Sequence, residues 1–193
     1  ILEAKGIVIS SFDFGTERVD SRSMLIDDKQ AIIFVNKNLL GDRLRYSLAY
    51  ELGQLIMHTF SPVPADRNVS REANEFASAF LMSENEVLKD FENGVTFGLL
   101  ADLKRKWKVS MISLLYRADD LGLLTPNQKR YLIQQFNEQK IRRREPMELD
   151  VAIEHPTLLK KLINRYINDY EIGDEAMAAI LAISTHDYVE YYG

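Results

Sequence analysis

The spacing of the apolar residues changes at Gly41, and this change limits the fold class more than any other feature of the sequence. Before Gly41, the β-branched runs at residues 6–10 and 31–36 are typical of strands. After it, apolar residues recur at steps of three and four positions, at Leu44, Leu48, Leu52, Leu55, Ile56 and Phe60. This pattern predicts an amphipathic helix over residues 43–59, with Asp42 as its N-cap.

The strand-forming part of the chain is short. Residues 24–26 precede a polar loop at 27–30, and this arrangement predicts a hairpin with the strand at 31–36. Together with the run at 6–10, the hairpin predicts a small antiparallel sheet.

Helix signals occupy the rest of the chain. Pro62 and Pro64 break the chain after the first helix. Ser70 is placed to cap a second helix that runs to about residue 82. Further start signals are Ser83 with Glu86, Ser110, and Thr125 followed by Pro126. We therefore expect an α+β fold, in which a small antiparallel sheet packs on helices and an all-helical region follows.

The charges divide the chain into three segments. Residues 1–96, 97–145 and 146–193 carry net charges of −5, +6 and −6. We expect a core, a basic helical region and an acidic helical tail with these boundaries. The basic region could bind nucleic acid, or its charge could be neutralised by the acidic flanks, and the sequence leaves both open.

The composition excludes several classes of protein. The chain of 193 residues has no cysteine, which excludes disulfides, cysteine-bound zinc and a thiol nucleophile. Its longest apolar run, at residues 176–183, is too short to span a membrane, and no signal segment opens the chain. We expect a cytoplasmic protein with no membrane partner.

The first predicted helix contains the most specific chemical signal. Residues 50–54 have the frame of His-Glu-x-x-His, in which two histidines on one helical face hold zinc and the glutamate acts as general base. Here Tyr50 and Gln54 replace the two histidines around Glu51. A neutral amide is a poor zinc ligand, and a tyrosine ligates well only after it loses its proton.

Two segments carry a resemblance to a known family. Residues 43–58 read RLRYSLAYELGQLIMH and residues 71–82 read REANEFASAFLM. They resemble the ImmA/IrrE metallopeptidases, in which an Arg-x-Arg-Phe-Ser-x-Ala-His-Glu-x-Gly-His helix is followed by a Glu-Ala-Asn-x-Phe-Ala-x-x-Leu-Met helix. The resemblance implies zincin-like helices beside the sheet.

The resemblance also implies a role for each position of the motif. Tyr50, Gln54 and Glu72 occupy the zinc-ligand positions, Glu51 occupies the general-base position, and His58 is a further candidate ligand. Because two of the three ligands are replaced, we expect no cofactor and an inactive regulatory domain that binds a protein partner or small ligand in the former active-site cleft. The alternatives are an active zinc metalloendopeptidase that cleaves a repressor, with zinc as its cofactor, and a DNA-binding transcriptional regulator.

The carboxylates of this cleft need replacement partners where the metal is lost. We expect Glu51 to bond with Tyr50 or Gln54. For Glu72 the sequence offers three cationic partners, namely Arg43, Arg45 and Arg71.

The remaining segments resemble helical regions of the same family. Residues 97–145 have the outline of a helix-turn-helix, in which phosphate contacts would come from Lys104, Arg105, Lys106 and Lys108. A structural role is the alternative. Residues 146–193 resemble the tail of proteins that carry an XRE-type helix-turn-helix upstream. Because the chain begins at Ile1, we expect such a DNA-binding domain before it, in a bacterial or phage system of transcription, stress response or toxin-antitoxin type.

Overall fold

Three strands form one mixed sheet in the computed structural model, which describes residues 1–27, 29–59 and 63–192. They are β1 (Val8–Phe12), β2 (Ser21–Ile26) and β3 (Gln30–Asn36), in the order β1-β3-β2. β2 and β3 form the predicted antiparallel hairpin, although Asp28 of its loop lies outside the described residues. β1 is parallel to β3, so the prediction of a purely antiparallel sheet is wrong in this detail.

The central place of β3 has a hydrophobic cause. Ile33 and Val35 are at most 1% exposed, so the most apolar strand lies between the other two. β3 pairs with β1 in parallel and with β2 in antiparallel orientation, so β2 runs against both of the other strands.

Helices make up most of the rest, and the α+β class is confirmed. The described residues contain α1 (Gly41–His58), α2 (Val69–Leu81), α3 (Glu84–Asp90), α4 (Phe97–Trp107), α5 (Met111–Asp120), α6 (Pro126–Glu138), α7 (Leu158–Tyr170), α8 (Asp174–Ile180) and α9 (Thr185–Tyr192). Short 3₁₀ helices lie at Glu3–Lys5 and Met147–Leu149. Phe60 and Pro62, predicted at and beyond the end of the first helix, lie outside the described residues.

The predicted starts of α5 and α6 are confirmed by their caps. Ser110 accepts a hydrogen bond from the backbone N–H of Ser113, and Thr125 forms a capping box with Gln128. The start of α3 after Ser83 is also confirmed, although the Ser83 hydroxyl donates to Glu86 and accepts no backbone N–H.

Two other cap predictions are wrong. The N-cap of α1 is Leu40, and Asp42 lies inside the first turn, where its carboxylate accepts from the buried ammonium of Lys104. Its other oxygen accepts from the backbone N–H of Arg43, the next residue in the chain. The N-cap of α2 is Asn68, two residues before the predicted Ser70.

Three hydrophobic clusters hold these elements. The first joins the sheet to α1 through Ile9, Ile33, Val35, Leu39, Leu44 and Leu55. The second fills the space among α3, α4, α5 and α6, and it includes Val87 and Phe91 from before residue 97. The third lies within the C-terminal tail, around Ile163 and Tyr188. The division at 96 and 145 stays a prediction. None of the described helices is both long and apolar enough to cross a membrane.

α1 and α2 approach each other closely at Gly53. A Cβ atom at this position would lie 2.9 Å from Cδ1 of Phe76 on α2, closer than side chains normally pack. The absence of a side chain at Gly53 therefore lets α2 lie against α1, and this contact brings Glu72 beside the Tyr50 face of α1.

Candidate active-site cleft

One face of α1 presents three polar side chains in a row. Tyr50, Gln54 and His58 are spaced four residues apart, so they lie one above another along the helix. Nε2 of Gln54 donates to Oη of Tyr50 over 3.0 Å. Oε1 of Gln54 lies 2.8 Å from Nδ1 of His58. The two residues at the predicted ligand positions on α1 thus bond to each other.

The row continues onto α2 through His58 and Glu72. Nε2 of His58 lies 2.8 Å from Oε2 of Glu72, and the imidazole side chain is only 6% exposed. Arg67, from the segment before α2, donates from Nε to Oε1 of Glu72 over 2.8 Å and from its terminal nitrogen to Oε2. Hydrogen bonds lower the pKa of Glu72 to about 2, and the bond from Arg67 has a larger effect than the bond from His58. Glu72 is therefore a carboxylate held by cationic and ring N–H groups.

Glu51 points away from this row, toward β2. Its Oε1 accepts a hydrogen bond from Ser21 over 2.8 Å, and its Oε2 accepts one from Ser23 over 2.6 Å. Ser21 and Ser23 lie on the same face of β2 because side chains alternate along a strand. Glu51 is only 4% exposed, so these two hydroxyls satisfy a buried carboxylate.

The residues at the ligand positions do not fit a zinc ion. Zinc sites in proteins use thiolate, imidazole and carboxylate groups, whereas Tyr50 supplies a phenol and Gln54 an amide. Glu72, the one good ligand of the three, forms a two-point ion pair with Arg67. Across residues 1–27, 29–59 and 63–192, no cluster of three His, Cys, Asp or Glu side chains is arranged to hold a metal.

The structure therefore brings the predicted site residues together but gives them different partners. Tyr50, Gln54, His58 and Glu72 form one network, while Glu51 bonds to β2. The expected pairing of Glu51 with Tyr50 or Gln54 is wrong. The expected pairings of Glu72 are also wrong, because Arg43 bonds to Asp20, Arg45 to Glu154 and Arg71 to Glu75.

Sequence reasoning missed Arg67, Ser21 and Ser23. The two serines carry a detectable signal, since small hydroxyl residues at alternate positions of a predicted strand share one face. Arg67 carries no such signal because it lies between helices and reaches Glu72 only in the folded chain.

A groove runs along β2 beside these residues. Two adjoining cavities of about 250 and 290 Å³ share Arg22, Tyr50 and Glu51 in their walls. β2 lies at the edge of the sheet and hydrogen-bonds to β3 alone among the three strands. No other strand of the described residues pairs with its second edge.

The four basic residues predicted to contact phosphates lie in different surroundings. Lys104 is 1% exposed, and its ammonium donates to Asp42 and Glu145, so it cannot reach a nucleic acid. This part of the prediction is wrong, because the pattern of charges along the sequence does not show that Lys104 is buried. The other three stay exposed, with Arg105 paired to Asp102, Lys106 to Asp90, and Lys108 in a left-handed conformation at the end of α4.

Burial and ion pairing act in opposite directions on Lys104. Burial lowers the pKa of its ammonium, but the hydrogen bonds to Asp42 and Glu145 outweigh this effect and raise the pKa above its usual value. Glu145 also accepts from the backbone N–H of Met111 over 2.8 Å. This buried cluster therefore ties α1, α4, α5 and the segment after α6 together.

Comparison with protein families gives one match. Residues 2–119 match the model of the Peptidase M78 family, described as the IrrE N-terminal-like domain. The matched region is more than half of the chain and contains the sheet, α1 and α2. A search of curated proteins gives no match.

Proposed function

Because the chain belongs to the Peptidase M78 family of IrrE N-terminal-like domains, we propose that it is a peptidase-like domain without peptidase activity, which binds a segment of a protein partner in the groove beside β2. The single observation that carries this proposal is the network at the ligand positions. Gln54 bonds directly to Tyr50, His58 links Gln54 to Glu72, and Arg67 neutralises Glu72.

The position of Glu51 supports the loss of peptide cleavage. A general base needs a carboxylate oxygen within hydrogen-bonding distance of the proton that it removes. Both oxygens of Glu51 accept hydrogen bonds from Ser21 and Ser23, and the side chain is buried. Glu51 in this arrangement supports the packing of β2 on α1.

The groove supports an extended polypeptide as the ligand. An edge strand can pair with an added strand through its backbone groups, and pockets beside it then receive alternate side chains. Residues 20–23 line this groove on the β2 side, and Tyr50 and Asn74 line it on the helical side. The resemblance to ImmA/IrrE proteins supports a regulatory setting in a bacterium or phage.

A cleavage assay tests the inactive part of the proposal. The full chain, loaded with Zn²⁺ or Mn²⁺, is incubated with a fluorogenic library of random peptides, with EDTA and Glu51→Gln as controls. We expect no turnover above the EDTA control. Turnover that both EDTA and Glu51→Gln abolish would establish the active-peptidase alternative and overturn the proposal.

Peptide selection tests the binding part. A displayed library of random peptides is selected on the full chain, and the selected peptides are measured against Asn74→Trp, which places a large side chain in the groove. Asn127→Trp on α6 is the matched control, because Asn127 is also an exposed helical asparagine. We expect at least about a tenfold loss of affinity for Asn74→Trp alone. Equal affinity for the two variants would contradict binding in the groove.

A further inference from the structure

A second and larger cleft lies between the sheet-containing core and the following helices. Its volume is about 880 Å³, within the range of small-molecule sites. The loop before β2, the first turns of α1, the start of α5 and residues 142–145 form its walls. The cleft is predominantly polar. Its charged side chains come mainly from the loop before β2, from α1 and from residues 142–145.

Three arginines of this cleft have no side-chain partner. Arg18, Arg142 and Arg143 are exposed, and none of their guanidinium groups forms a hydrogen bond or ion pair with any residue that the structure describes. Their neighbour Arg144 differs, since it forms a two-point ion pair with Asp150. The three free guanidinium groups therefore face the cleft and solvent.

Most carboxylates of the cleft already bond to a cation. Asp42 and Glu145 both bond to Lys104, and Oδ2 of Asp20 accepts from Arg43 over 2.7 Å. Glu17 is the remaining lining carboxylate without a described partner. Lys104 supplies one positive charge for two carboxylates, so the three free arginines face two uncompensated negative charges, and the cleft keeps a small net positive charge that attracts an anion.

The arginine run is fixed at its C-terminal end. Glu145 is 8% exposed and is held by Lys104 and by the backbone N–H of Met111, while Arg144 is held by Asp150. Arg142 and Arg143 directly precede these two anchored residues. Their backbone is thus held in place before any ligand binds, which lowers the entropic cost of binding.

Apart from Glu17, the free charged side chains of the cleft are guanidinium groups. Guanidinium groups favour phosphate because their planar N–H groups match its oxygens.

We propose that this cleft binds a nucleoside diphosphate or triphosphate. Arg18, Arg142 and Arg143 contact the phosphates, because several phosphate groups offer enough oxygens for three guanidinium groups. Arg18 and Asp20 also line the groove beside β2, whereas Arg142 and Arg143 do not, so a variant of these two arginines tests the cleft separately from the groove.

Titration calorimetry with the full chain tests this site. The probes are ATP, GTP and a 20-base-pair DNA duplex, measured on the unmodified chain, on Arg142→Ala/Arg143→Ala and on Arg18→Ala. Arg130→Ala on α6 is the matched control, because Arg130 is exposed, unpaired among the described residues and outside the cleft. Thermal unfolding of each variant verifies its fold.

We expect saturable binding of ATP or GTP at one site per chain, and at least about a tenfold weaker affinity for the double variant than for Arg130→Ala. Arg18→Ala is expected to weaken binding as well. No saturable nucleotide binding, or equal losses in the double variant and Arg130→Ala, would overturn the proposal. Binding of the duplex alone, lost in the double variant, would also overturn it and assign the arginines to a nucleic-acid interface.

Discussion

Arg67 donates hydrogen bonds to both carboxylate oxygens of Glu72, the residue at the third zinc-ligand position of the family motif. A carboxylate without its metal would otherwise carry an uncompensated charge beside His58 and α1. The ion pair supplies the positive charge from within the chain. The fold of the family can therefore persist at this position without zinc.

The first prediction concerns the pH dependence of this ion pair. The pKa of Glu72 is lowered to about 2, so its stabilising contribution is complete above its unfolded-state pKa near 4.5 and is lost as the pH falls toward 2. Glu72→Gln should therefore be less stable than the unmodified chain at pH 6, and the difference should shrink between pH 4.5 and 2. Urea unfolding at pH 6, 4 and 2.5 measures this difference.

Glu75→Gln is the control for this experiment. Glu75 pairs with Arg71 on the exposed side of α2, where an ion pair contributes little. A Glu72→Gln difference that stays constant from pH 6 to 2.5 would contradict the assigned role of Glu72.

The second prediction concerns the serines that hold Glu51. Ser21→Ala/Ser23→Ala leaves both oxygens of a buried carboxylate without donors, so we expect a loss of about 2–5 kcal/mol in the free energy of unfolding. The same double substitution in a Glu51→Ala background should cost much less, because no buried carboxylate remains. Urea unfolding of the four chains gives the coupling energy. Equal costs in both backgrounds would show that the serines do not act through Glu51.

The third prediction concerns the buried ammonium of Lys104. Lys104→Met leaves the carboxylates of Asp42 and Glu145 buried without their cation, and we expect a loss of about 3–5 kcal/mol in stability. Lys106→Met is the matched control. Its ammonium is half exposed and pairs with Asp90, so the expected loss is below about 1 kcal/mol. Similar losses in the two variants, measured by urea unfolding, would contradict this account.

The fourth prediction compares two helical glycines. Gly53→Ala places a Cβ atom against Phe76 and should destabilise the chain by about 1–3 kcal/mol, because α2 must move away from α1. Gly98→Ala on α4 meets no atom within 4 Å and should stabilise the chain by about 0.4–1 kcal/mol. Thermal unfolding distinguishes the two variants. A neutral effect of Gly53→Ala would show that the helix contact is not tight there.

The features that could be predicted from the sequence are local ones. Ser110 and Thr125 cap helices whose first N–H groups lie within three residues, and the β2–β3 hairpin joins neighbouring segments. The motif on α1 could also be predicted, because residues four apart share a helical face whatever surrounds the helix.

The features that could not be predicted depend on distant residues. Asp42 looks like an N-cap, but it bonds to Lys104, 62 residues away. Lys104 itself looks like a surface cation in a basic segment. The parallel pairing of β1 also joins distant residues, whereas the Arg67–Glu72 ion pair is local in sequence and depends on how the segment before α2 turns.

The loss of the metal site is the central claim, and metal content measures it most directly. The full chain is loaded with zinc, desalted and analysed by mass spectrometry, beside a Tyr50→His/Gln54→His/Arg67→Ala variant that restores both histidines and releases Glu72. We predict about one zinc ion per chain in the variant and none in the unmodified chain. About one zinc ion per unmodified chain would contradict the account.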